Sequence, residues 1–254
     1  MTLLIKGGKI NKTKKMTFTA VDTYHDEVAI KPFPATQAIP EWWKKMTPYL
    51  AVPEQVKKGN FFLGRNSIPN TSFKKCTPML DALASGYIIP LWTDVFVTCN
   101  PEGFPVITWK TLGGRGVFAQ HGDNAMDVET PLGYSNLVFK YLNPWIPKTP
   151  RGYSILVTQP FGYRQTAFQA VPAIIDSDKS TLEVLPPMWV KEGFEGVVEK
   201  GTPLVQITPF KRNNWELEFN RLEDGEYQKI EDRNFNSTLI NHYLKNVWSK
   251  KSYK

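Results

Sequence analysis

Tyr87-Ile88-Ile89-Pro90-Leu91-Trp92-Thr93-Asp94-Val95-Phe96-Val97-Thr98-Cys99 is the stretch whose reading decides the fold. β-Branched and aromatic residues dominate it, as they do in strands that pack on a pleated surface. From there to Phe210 the chain reads as one short strand after another, separated by Pro, Gly and Asn: Val106–Leu112, Leu137–Tyr141, Tyr153–Thr158, Ala173–Ile175, Leu182–Leu185, Phe194–Val198 and Leu204–Phe210. No helix of crossover length interrupts the series, so an antiparallel barrel or sandwich is expected rather than a parallel sheet.

Immediately upstream, Thr77-Pro78-Met79-Leu80-Asp81-Ala82-Leu83-Ala84-Ser85-Gly86 has Thr at the N-cap, Pro at N1, an apolar face and Gly at C′, which defines a helix. Further out, residues 16–31 alternate apolar and polar in two runs (Phe18, Ala20; Val28, Ile30), predicting two half-buried strands that Lys31-Pro32-Phe33-Pro34 stops. Pro40-Glu41-Trp42-Trp43-Lys44-Lys45-Met46 is a Pro-started helical turn with charges matched to its dipole; one Trp is expected in the core, the other over a neighbouring loop or subunit contact. Residues 51–72 show little period and read as a long surface connection. Beyond Arg212, Phe235, Leu239, Tyr243 and Val247 recur every fourth residue, predicting an amphipathic helix over Asn236–Trp248. The organisation expected is therefore a basic arm with strands (1–36), an irregular connection with a short helix (37–72), a β core (73–212), and an extension with the amphipathic helix and a basic tail (213–254).

The chain has 254 residues, 41% of them hydrophobic and 22% charged, which excludes a disordered or low-complexity protein. Gly86, Pro90 and Asp94 break the longest apolar segment, well short of the roughly 18 to 20 residues that span a bilayer. The first residues, MTLLIKGGKINKTKK, lack a signal-type apolar region, so neither export nor a membrane span is expected. Cys76 and Cys99 form no CxxC pair and read as buried reduced thiols. The net charge of +7 sits at the ends: residues 1–15 hold five lysines and residues 241–254 four, neither with an acid, leaving 22 Lys and Arg against 24 Asp and Glu between them. A nucleic-acid groove needs basic residues on the folded body. The simple reading is solvated tails, with nucleic acid, an acidic partner or a neighbouring subunit as the contacts basic ends could make, nucleic acid being the least favoured.

His25, His121 and His242 have no HxH or HxxE spacing and no partner cysteines, so no metal site is expected. Gly113-Gly114-Arg115-Gly116 follows a strand without opening a helix, so it reads as a hairpin turn rather than a phosphate loop. Ala173-Ile174-Ile175-Asp176-Ser177-Asp178 stands out. A carboxylate at the end of an apolar strand meets solvent and substrate, as a general base or a ribose-hydroxyl acceptor must; Asp-Ser-Asp-Lys-Ser is equally ordinary turn chemistry.

With Gly201-Thr202-Pro203-Leu204-Val205-Gln206 and Thr149-Pro150-Arg151-Gly152-Tyr153-Ser154-Ile155-Leu156-Val157, this segment resembles the third, fourth and pre-second motifs of the deoxyuridine triphosphatase and dCTP deaminase superfamily, over roughly residues 80–212. The resemblance implies a mainly β fold, an antiparallel dUTPase-like β-clip barrel with one short internal helix and a C-terminal amphipathic helix, usually trimeric. The catalytic residues depart from it. Gln159-Pro160 stands where the family has its Arg-Ser phosphate pair, Lys179 where it has the deoxyribose-stacking Tyr, and uncharged Tyr87-Ile88-Ile89 where it has the magnesium-holding Asp; the Gly-rich fifth motif has no counterpart. Without cations to neutralise a triphosphate, the family's hydrolysis loses its support.

A second, nearly end-to-end resemblance, through Lys74-Lys75-Cys76-Thr77-Pro78, Gly86 to Leu91, Gly193-Phe194-Glu195-Gly196, Pro209 to Arg212 and Trp215, is to an uncharacterised family of tailed phages and some bacteria. Together these imply a non-catalytic phage-type protein acting by binding or assembly, in a virion or host cytoplasm, as a homo-oligomer, a trimer or otherwise, with other phage proteins as further partners. No cofactor is expected. The alternative is a nucleotide-binding, nucleotide-hydrolysing or deaminating enzyme in which Asp176 and Asp178 act with magnesium while Arg151, Lys179 and Gln206 hold the ligand.

Overall fold

The computed structural model describes residues 13–48, 72–111, 115–122, 129–163, 167–231, 243 and 247–254. In chain order the first elements are β1 (Thr17–Ala20), α1 (Thr23–Val28), β2 (Phe33–Pro34), α2 (Glu41–Lys45), α3 (Thr77–Ala84), β3 (Tyr87–Pro90), β4 (Val95–Cys99) and β5 (Pro105–Trp109). Then come β6 (Phe118–Gln120), β7 (Tyr134–Tyr141), β8 (Trp145–Lys148), β9 (Tyr153–Thr158) and β10 (Phe168–Ala170). The last four are β11 (Ala173–Ile175), β12 (Pro187–Lys191), β13 (Gly196–Val198) and β14 (Pro203–Lys211). The protein is mainly antiparallel β with a few short helices, and every strand pairing among the described residues is antiparallel.

The strands form a central five-stranded sheet in the order β11-β9-β14-β3-β2, a four-stranded sheet β10-β12-β7-β6, a three-stranded sheet β13-β4-β5 and the pair β1-β8. Alternating inward residues of the three larger sheets, among them Ile89, Val97, Tyr141, Val157, Met188 and Ile207, meet in one apolar core. Tyr141 ties it together: its buried hydroxyl donates to Pro90 O at 2.7 Å and accepts from Trp92 N at 3.2 Å. Burial raises its pKa far above the ordinary phenol value, so it stays a neutral donor.

Several expectations needed correction. The Val28–Ile30 strand is instead the end of α1 and its C-cap. Asp22 caps this helix, its carboxylate accepting His25 N–H at 2.8 Å and meeting His25 Nδ1 at 2.7 Å, while the imidazole stands edge-on to Trp92 in the interior. A local cap overrides the weak alternation of two apolar residues. α2 falls on the helical turn expected at Pro40–Met46, and α1 is the additional helix beyond the short internal helix expected of the barrel. α3 itself starts at Thr77 with Cys76 as N-cap, one residue earlier than read, and Gly86 takes φ +71° just beyond its end. The run Tyr87–Cys99 is two strands in two sheets, broken after Pro90 where Leu91 N–H turns to Thr202 O.

Leu182–Leu185 is no strand: Leu182 is exposed and Val184 buried, whereas residues two apart on a strand would share a face. The residues that pair are Pro187–Lys191, with Pro187 at the first position, where a missing N–H is tolerated. β6, β8 and β10 were not foreseen; each has three or four residues, and Pro147 interrupts the signal of β8. Cys76 and Cys99 are free but only half-buried. Trp43 is buried, whereas Trp42 is 40% exposed and donates its indole N–H to Gly162 O across a neighbouring loop. The connection 51–72 lies outside the described residues up to Thr71, as does most of the amphipathic helix Asn236–Trp248.

Candidate functional site

The two carboxylates singled out above lie just past β11, in the turn that follows Ile175, against the start of β9 and the end of β14. β9 pairs with both β11 and β14, with Ile175 opposite Ile155 and Lys211 opposite Tyr153. The β14 ladder runs one step further, Arg212 N–H donating to Gly152 O at 2.9 Å. This register sets the Arg212 side chain over the turn.

Its guanidinium forks onto Asp178, Nη1 donating to Oδ1 at 2.8 Å and Nη2 to Oδ2 at 2.5 Å. The Asp178 side chain is only 3% exposed and also accepts Gly152 N–H at 2.8 Å. Nη1 further donates to Tyr153 O at 3.0 Å and Ser154 Oγ at 2.9 Å, and stands 3.1 Å from Asp176 Oδ1. Asp176, half-exposed, accepts the Ser154 hydroxyl at 2.7 Å on Oδ1 and faces Lys179 Nζ at 3.5 Å on Oδ2. Beneath them the Thr149 and Ser177 hydroxyls meet at 2.7 Å, and Thr149 Oγ1 donates to Tyr153 O at 3.0 Å. Two acids thus face two bases in a closed network.

The electrostatics follow. The Arg212 fork, with Gly152 N–H, holds Asp178 far below the usual carboxylate range, and the Ser154 hydroxyl, then Arg212 and Lys179, lower Asp176. Asp178 in turn raises Arg212. A general base at neutral pH gains from a pKa moved up toward neutrality. Both carboxylates are moved the other way, so the arrangement is suited to holding charge rather than transferring protons.

The other predicted site residues lie apart from one another. Arg151 is exposed on the turn between β8 and β9. Gln206 is buried: its amide nitrogen donates to Ala82 O and Ser85 O at 3.0 and 2.6 Å, and its oxygen accepts Phe161 N–H at 2.9 Å. It joins α3, β14 and the 159–163 turn. Arg212 and Ser154 were assigned no role from the sequence, because only the β9–β14 register brings them to Asp176 and Asp178. Arg115, in the Gly-rich segment, pairs with Glu183 at 2.8 Å; Gly113 and Gly114 lie outside the described residues, as do Asp123 and His242. His121 follows β6. Among the described residues no group of three or more His, Cys, Asp or Glu is placed to hold a metal, and no helix is long and apolar enough to cross a membrane.

The basic C-terminal tail is more than a solvated end. Trp248 Nε1 and Lys251 Nζ both donate to Asp81 Oδ2 on α3, at 2.9 and 2.6 Å, and Tyr253 stands edge-on to Tyr87. Comparison with family models, with curated proteins and with solved structures finds no match to this chain.

Proposed function

We propose that this chain is a non-catalytic protein on a dUTPase-like β-clip scaffold, acting by binding or assembly as a structural part of a phage-type particle. The observation that carries the reading is the Arg212 fork: the carboxylates that would serve a nucleotide enzyme are held by the protein's own arginine. Arg212 closes Asp178 from solvent, while Ser154 and Lys179 engage Asp176. The scaffold assignment draws support from adjacency, since the three segments that carry the resemblance, 149–157, 173–179 and 201–206, fall on or beside β9, β11 and β14 of one sheet. In this role the network acts as a clamp, pinning the end of β14 to two turns and so setting where the chain leaves the core.

Incubation with each deoxynucleoside triphosphate and magnesium tests the reading. The expected result is no pyrophosphate, no deamination and no thermal shift. Turnover that disappears in Asp176→Asn would overturn it in favour of the nucleotide enzyme.

A further inference from the structure

Beyond the clamp, residues 213–222 leave the core as an exposed segment with neither helix nor strand, joining none of the sheets of the described residues. Trp215, Leu217 and Phe219 alternate along it with Glu216, Glu218 and Asn220, the spacing that puts three apolar side chains on one face once the segment is extended on a sheet edge. They are 85%, 83% and 87% exposed. Side chains of this size present on the order of 500 Å² of apolar surface together, the size of the largest apolar patch on a soluble chain, which is often an interaction surface.

A matching acceptor exists elsewhere on the molecule. β5 and β6 are edge strands of different sheets, and a cleft of about 410 Å³ opens between them. Among the described residues Phe104, Val106 and Trp109 line one side, and Phe118, Leu137 and Phe139 the other.

The chain's own arm is poorly placed to fill this cleft. Phe118 packs against Tyr141, whose hydroxyl bonds Pro90 O, and Pro90 lies opposite Pro203, the first residue of β14. The cleft therefore sits toward the start of β14 and the arm departs from its end, nine residues or about 30 Å away. Residues 213–219 span roughly 23 Å at full extension, less than the strand they would have to retrace.

We propose that the arm 213–222 of one copy lies in the β5–β6 cleft of a second copy, adding an extended segment beside its edge strands. This rests on the assembly reading above and names the surfaces that perform it. Polarity agrees with this occupant: the cleft lining carries no charged side chain, so it takes the apolar face of the arm and leaves Glu216 and Glu218 to solvent. Area agrees as well. Matched by an equal area on the acceptor, one arm buries on the order of 1,000 Å², the lower bound of a specific interface. Because donor and acceptor are different surfaces, each chain gives and receives one arm, as a closed ring requires.

Light scattering on the full chain is the test, with Trp215→Ser/Leu217→Ser/Phe219→Ser as the arm variant and Val106→Arg as the cleft variant. The wild type is expected at a multiple of 29.0 kDa and both variants at the single-chain mass, with the arm variant keeping its circular dichroism and Tm because the replaced side chains are exposed. In a Cys76→Ser/Cys99→Ser background, mixing Leu217→Cys chains with Val106→Cys chains is expected to yield a mixed inter-chain disulfide between the two variants. A wild type at the single-chain mass, or an arm variant that stays assembled, would overturn the exchange. The latter leaves the non-catalytic reading standing, whereas nucleotide turnover strikes that reading without touching the arm.

Discussion

Asp178 shows how a single carboxylate can look like chemistry in sequence and be architecture in space. Its bidentate bond to Arg212 and its bond to Gly152 N–H join three segments far apart in the chain. Because Asp178 ionises at lower pH in the folded chain than at the roughly 3.9 of an unfolded one, the unfolded state takes up its proton first as pH falls. The clamp's contribution is therefore full above about pH 4 and declines below it. Asp178→Asn is expected to lower Tm at neutral pH and to flatten the loss of Tm between pH 4 and 2; melting curves across that range check both. Tyr141→Phe isolates a neutral counterpart. It removes the partner of Pro90 O and Trp92 N in the core, which costs about 1 to 3 kcal/mol, or about 2 to 4 °C in Tm for each kcal/mol in a chain of this size. Denaturant unfolding measures it, and an unchanged midpoint would refute the role given to the hydroxyl.

At the level of elements, the junction of α3 and β3 is the tightest point. Gly86 has a positive φ that L residues rarely adopt, and a Cβ there would lie 1.9 Å from Ile207 O on β14. Gln206, the next residue back on that strand, holds the last turn of α3 by two carbonyls. Gly86→Ala is expected to destabilise by at least about 2 kcal/mol, the combined effect of backbone strain and overpacking, with thermal melting as the measurement. The helix was legible in sequence because Pro at its start and Gly beyond its end act locally. α1 was not, since its cap is a single Asp in a segment that also alternates. Elements of three or four residues carry too few side chains for a period to emerge, which is why β6, β8 and β10 went unforeseen.

For the molecule as a whole, the clamp and the arm form one device: the first holds the end of β14 and the second carries three apolar side chains away from it. Chymotrypsin is therefore expected to cut at Trp215, Leu217 or Phe219 before it opens the strands of the core, and more slowly as protein concentration rises and arms become covered. Mass spectrometry of the first fragments tests this, and early cleavage within β3 or β9 would contradict it.

Composition and period are local properties, and the sequence alone determined what depends on them: a folded, mainly antiparallel β chain, the helix before Tyr87, the strands Tyr153–Thr158 and Ala173–Ile175, and Asp176 at a strand end. Only the tertiary structure decided that Arg212 closes on the two aspartates, that Gln206 is buried on backbone rather than presented to a ligand, and that Trp215, Leu217 and Phe219 stand clear of the core. Those outcomes depend on register between segments tens of residues apart. Register is set by which faces pack together, and no local pattern of side chains records it.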